Sequence, residues 1–169
     1  QRPSGQLQPA LKLLCALRSS DVYDITAPSV SSVSPANGTT SVSIETTIAV
    51  TFNESMDTTS TNTSSLSCTG TIQVSSDNYN TFVWISSVPA NSNSNRTFSV
   101  TPSSNLSYST TYKVRITNTA KDTPGNALGN QYQASNGFTT GVQSDTTLPT
   151  VSSITPADGT TSVAINSSV

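Results

Sequence analysis

A segment that occurs twice constrains this chain more than any single residue does. Residues 24–48 read DITAPSVSSVSPANGTTSVSIETTI, and residues 145–169 read DTTLPTVSSITPADGTTSVAINSSV. The register holds without a gap: Asp24 maps to Asp145, Pro28 to Pro149, Pro35 to Pro156, Gly38 to Gly159 and Ile44 to Ile165. An offset of about 121 residues is the length of one compact domain plus a linker. The chain thus reads as an extension over residues 1–26, one whole repeat over 27–141, and a linker with the incomplete start of a second repeat over 142–169.

Within the repeat the apolar residues follow a period of two. Val30 and Val33 mark a first strand, and Pro35-Ala36-Asn37-Gly38 is a turn, because Pro presets φ and Asn-Gly tolerates positive φ. Val42, Ile44, Ile48, Val50 and Phe52 then share one face, which predicts one half-buried strand over 42–52. Ile72 and Val74 predict another. Phe82, Trp84 and Ser86 share a face of the next, with Val83 and Ile85 opposite. Phe98 and Val100 begin a strand that Pro102 closes. Tyr112, Val114 and Ile116 alternate inward against Lys113, Arg115 and Thr117. Residues 121–126 form a loop, and Phe138 anchors a last strand. About seven short strands with turn residues between them predict an all-β fold, an immunoglobulin-like antiparallel sandwich. Tyr112 enters its strand six residues after Leu106, where a tyrosine can bond back to the backbone. Residues 1–23 differ: Leu7, Leu11, Leu14 and Arg18 fall near helical spacing, so the extension is helical or irregular.

Composition narrows the function. Ser and Thr make up 60 of 169 residues, only 9% of residues are charged, and the net charge is −2. Such a chain has no electrostatic reason to seek nucleic acid or anionic lipid. No histidine is present, which removes the commonest general base and zinc ligand. Cys15 and Cys68 form no CxxC; they either pair or are unrelated thiols. The apolar run over residues 7–20 is too short to span a bilayer and is interrupted by Pro9 and Lys12. The six N-x-[ST] sequons, at Asn37, Asn53, Asn62, Asn95, Asn105 and Asn166, are what this much Asn, Ser and Thr gives by chance.

The segments PSVSSVSPANGTTSVSIETTIAVTFNESMD (28–57), TFSVTPSSNLSYSTTYKVRIT (97–117), KDTPGNALGN (121–130) and GFTT (137–140), in that order, resemble the bacterial immunoglobulin-like repeats of S-layer type. SLSCTGTIQVSSDNYNTFV is similar to the variant common in spirochaete surface proteins. The resemblance implies a non-catalytic spacer, stalk or adhesive module at the cell surface or outside the cell. Its expected partners are neighbouring repeats and, in an adhesin, a host or matrix protein or a glycan. A filament subunit joined by strand addition through 148–169 is a further alternative. Related repeats often carry a second Cys near the position of Phe82, able to pair with Cys68; that partner is missing here.

Five acidic residues are calcium candidates. Asp24 and Asp145 open the two copies in the same D-x-T-x-P setting at the domain junctions, and Glu54, Asp57 and Asp122 stand in neighbouring loops. Calcium requires six to eight oxygens, so the competing account, in which each Asp caps its own turn, is preferred. Glu54 and Asp57 as paired glycosidase carboxylates lack any cleft. Trp84, Tyr79 and Tyr108 are candidates for a sugar-stacking platform, but burial of Trp84 in the core is the reading the sandwich favours.

Overall fold

The computed structural model describes residues 23–63 and 70–166. Eight short strands follow one another: β1 (Val30–Ser34), β2 (Ile48–Phe52), β3 (Ile72–Ser75), β4 (Ala90–Ser92), β5 (Thr97–Val100), β6 (Thr111–Ile116), β7 (Tyr132–Gln133) and β8 (Phe138–Thr139). One sheet has the order β1-β2-β5-β4 and the other β3-β6-β7, with β8 also pairing with β6. All these strand pairs are antiparallel. The all-β sandwich expected from the alternation is the observed fold, and the described residues contain no helix. No helix among them is long and apolar enough to cross a membrane.

The two inner faces interdigitate. Ile48, Val50, Phe52, Phe98 and Val100 come from one sheet; Ile72, Val74, Tyr112, Val114, Ile116 and Phe138 come from the other, all buried. Val50 lies opposite Phe98 in the β2–β5 ladder, and Phe98 meets Phe52 edge-on at 6.0 Å. Tyr112 and Phe138 stack at 5.8 Å. Each large side chain withdrawn in this way contributes about 1.5–3 kcal/mol of transfer free energy. The expected tyrosine bond is present: the Ser107 N–H donates to the Tyr112 hydroxyl at 3.0 Å.

β7 and β8 are two halves of one interrupted strand, both against β6, whereas β4 has no counterpart among the seven strands expected. The interruption is at Ser135–Gly137. Gly137 has φ +69°, and a Cβ there would stand 2.1 Å from the Tyr112 carbonyl oxygen, so only glycine fits.

Three expectations are corrected. The predicted strand over 42–52 is broken, because the chain changes sheets within it. Val42 bridges Thr140 in parallel beside β8, whereas Ile48 begins β2 of the opposite sheet. Both stretches face the core, so the period of two runs on across the break. The predicted strand over 82–86 does not form. Val83 donates to the Val74 carbonyl on one sheet, while Ser86 donates to the Thr101 carbonyl next to the other. A segment that crosses between sheet edges builds no ladder. Trp84 is consequently 59% exposed, not in the core; Ile85 occupies the inner position, 5% exposed. The residues at helical spacing in the extension, Leu7 to Arg18, and both Cys15 and Cys68 lie outside the described residues.

The outer face of β3 is covered too. Gln73 and Ser75 point away from the core yet are buried, because the turn after β3 folds back over them. Ser75 Oγ receives the N–H groups of Asp77 and Tyr79 and donates to Asp77 Oδ1 at 2.8 Å. Tyr79 then lies against Phe82, with ring centroids 6.4 Å apart.

Candidate functional site

The pole where the chain enters the domain gathers acidic residues from three separate segments. Residues 55–57 run beside residues 121–123: the Asp57 N–H donates to the Lys121 carbonyl and the Thr123 N–H to the Ser55 carbonyl. That pairing sets Glu54 next to Asp122. Asn126 Nδ2 donates to the Asp24 carbonyl at 2.9 Å, which brings the incoming chain onto the same loop. Carboxylate oxygens of Asp24, Glu54 and Asp122 all lie within 4.8 Å of one another.

Their commitments differ. Asp122 is fully buried; its Oδ1 accepts the N–H groups of Gly125 and Asn126 at 2.7 and 2.6 Å, and its Oδ2 accepts Asn126 Nδ2 at 2.8 Å. Asp24 Oδ1 accepts the Thr26 N–H at 2.9 Å. Glu54 has the weakest support, a 3.3 Å bond from Asn53 Nδ2. Partial burial, followed by the charges of Asp24 and Asp122, pushes the Glu54 carboxyl above its ordinary range. The arrangement therefore holds a proton on Glu54 more readily than a free carboxylate does. As a cation site it supplies three carboxylates toward the six to eight oxygens calcium takes.

The other two acidic candidates stand apart. Asp57 caps its own turn, accepting the Thr59 N–H and hydroxyl at 2.9 Å each; the backbone bond from Thr59 holds its carboxyl below the usual range. Asp145 accepts the Thr147 N–H at 2.8 Å, and the same kind of bond lowers its carboxyl. It repeats the Asp24–Thr26 turn one repeat later.

The aromatic candidates are also dispersed. Tyr79 packs under Arg115, whose guanidinium carbon is 4.1 Å from the ring centroid. Tyr108 is in the turn before β6, half exposed, and Trp84 is in the crossing segment. No ring contact joins the three among the described residues. Sequence reasoning missed a further polar feature. Asn37 inserts its carboxamide into the break between β7 and β8, accepting the N–H groups of Asn136 and Gly137 at 2.9 and 2.7 Å and donating to Ser135 Oγ at 2.9 Å. The Asn-Gly turn signal marked the position but gave no hint of its distant partners.

Two packed antiparallel sheets, with a tyrosine at the entrance to β6 bonded to the backbone upstream, define an immunoglobulin-like sandwich module. The family described as bacterial Ig-like domain matches residues 24–140. The chain belongs to that family, and no enzymatic family is indicated. No curated protein matches it. Among solved structures, domains 1–6 of the surface layer protein SbsC are similar at 22% identity, with a TM-score of 0.50. The similarity covers 69% of this chain and 14% of that one, and it bears on the fold alone. A crystal structure of the S-layer protein rSbsC(31-844) is similar at 21% identity and a TM-score of 0.48, over 69% of this chain and 14% of that one.

Proposed function

We propose that the described domain is a non-catalytic spacer in a surface or secreted protein built of tandem repeats. One observation carries this reading: the tail already holds the local geometry of the segment it duplicates. The Thr26–Asp24 turn reappears as Thr147–Asp145, and the Thr39–Ala36 turn reappears as Thr160–Ala157. Gly38 and Gly159 have φ of 85° and 76°, and Ser41 and Ser162 have φ of 56° and 59°. The partners that bury the first copy are not joined to the second: Val151, Ile154, Val163 and Ile165 are exposed. In this reading residues 142–148 are the linker and residues 149–166 belong to the start of another module. Membership of the bacterial Ig-like domain family supports a place at the cell surface or outside the cell.

The test is an array. Copies joined so that residue 145 of one serves as residue 24 of the next give rods whose length grows by a fixed increment per repeat in small-angle scattering. Collapsed or coil-like particles overturn the spacer reading. Exposed Trp84 and Val88, at 59% and 80%, favour adhesion to a protein or glycan as a second reading. A binding screen of the intact chain that loses its signal on Trp84→Ala supports that alternative.

A further inference from the structure

We propose that this module carries tension through a shear clamp formed by its first and last segments, an inference that rests on the spacer reading. Segment 37–42 runs parallel to segment 135–141. The Gly38 N–H donates to the Gly137 carbonyl at 2.5 Å, Thr139 to Thr39 at 2.8 Å, Val42 to Thr139 at 3.1 Å and Gly141 to Val42 at 2.9 Å. Donors alternate between the segments, as in a parallel ladder. The three bonds of the Asn37 side chain lie at one end of it.

The points where an array would pull lie at opposite poles. The incoming chain is tied at Asp24 to Asn126, in the loop that follows the C-terminal end of β6. The outgoing chain is tied at Gly141, whose carbonyl accepts the Ser109 N–H, just before the N-terminal end of β6. These poles are separated by at least the length of β6, on the order of 17 Å. Neighbouring modules then pull segment 37–42 one way and segment 135–141 the other, along the strand direction. All the cross-bonds are loaded together, whereas a force across the strands would open them one at a time. β1, paired antiparallel with β2 over four positions, is loaded ahead of the clamp and is expected to release first.

The experiment is single-molecule pulling on tandem copies of the full 169-residue chain, flanked by marker domains, with denaturant stability measured in parallel. Forced unfolding reports the barrier rather than the equilibrium. Asn37→Ala and Val42→Pro, which remove clamp bonds, lower the unfolding force about twofold. Phe82→Ala, on the outer face away from the clamp, lowers denaturant stability but leaves the force nearly unchanged. Equal forces for the wild type and both clamp variants, or a drop that follows denaturant stability across all three variants, overturn the clamp. Where Val42→Pro does not fold, Asn37→Ala alone carries the test, and a force equal to that of the wild type overturns the clamp. The scattering measurement on arrays is separate: rods without a clamp effect refute this inference alone, and coils with a clamp effect refute the spacer alone.

Discussion

Asn37 and Gly137, 100 residues apart in sequence, are joined by a 2.7 Å hydrogen bond from the glycine N–H to the carboxamide oxygen. The bond closes the break between β7 and β8 and fastens the first segment to the last. Asn37→Ala leaves two N–H groups without their partner and is expected to lower stability by about 1–2 kcal/mol in urea unfolding. Asn37→Asp keeps an acceptor there, as Asp158 would in the second copy, and is expected to cost less. Equal losses for the two variants would show that the acceptor is not what matters.

Gly137 itself is the more severe position. The atom a Cβ would strike is the Tyr112 carbonyl, which belongs to the rigid backbone of β6. Gly137→Ala is expected to lower stability by about 3 kcal/mol through strain and overpacking. Gly38→Ala meets positive φ but open space, and is expected to cost about 1 kcal/mol. Thermal melts of the two variants give the order.

The Ser107–Tyr112 bond predicts a third loss. Tyr112 is buried, so Tyr112→Phe keeps the ring stacked on Phe138 but removes the acceptor for Ser107. A loss of about 1–2 kcal/mol is expected, with the fold retained by circular dichroism. An unchanged midpoint would mean that water replaces the hydroxyl.

These residues also show what a single sequence can and cannot disclose. β6 was legible because Tyr112, Val114 and Ile116 alternate with polar residues on one uninterrupted strand. The change of sheets between Val42 and Ile48 was not, since both stretches present apolar side chains to the same core. Trp84 misled because its neighbours alternate like a strand, yet their backbone bonds are divided between two sheets. Gln73 is polar and buried only because the turn that follows β3 folds back over it. The acidic trio depends on the pairing of 55–57 with 121–123, and no local pattern reports that pairing.

Tyr79 offers a contrast between two substitutions. Its hydroxyl is buried and has no hydrogen-bond partner among the described residues, and burial pushes the pKa of the phenol up to about 12. Its ring, however, supports Arg115, which also donates to Gln73 at 2.6 Å. Tyr79→Phe is expected to be neutral or slightly stabilising, because it removes an unpaired polar atom. Tyr79→Ala is expected to cost about 1–3 kcal/mol by uncovering the outer face of β3. Similar effects of both in denaturant titration would refute the packing account.

Acid titration separates two carboxylates of opposite sign. Asp77 accepts the Thr81 N–H and hydroxyl and the Ser75 hydroxyl; these bonds, the Thr81 N–H foremost, lower its carboxyl from 3.8 to about 2. A depressed folded-state value gives stability that is present above the unfolded value and is lost as pH falls toward 2. Asp77→Asn should flatten that acid limb. Glu54 is the reverse case. Its value is raised above 4.5, first by burial and then by Asp24 and Asp122. The stability it gives is therefore complete below the unfolded value and is lost as pH rises through the folded one. At neutral pH the ionised group opposes folding, so Glu54→Gln should raise the melting temperature at pH 7 and have little effect near pH 3. Added calcium or a chelator should leave both proteins unchanged. A calcium-dependent rise in the wild type that disappears in Glu54→Gln would instead make the three carboxylates a cation site at the domain junction.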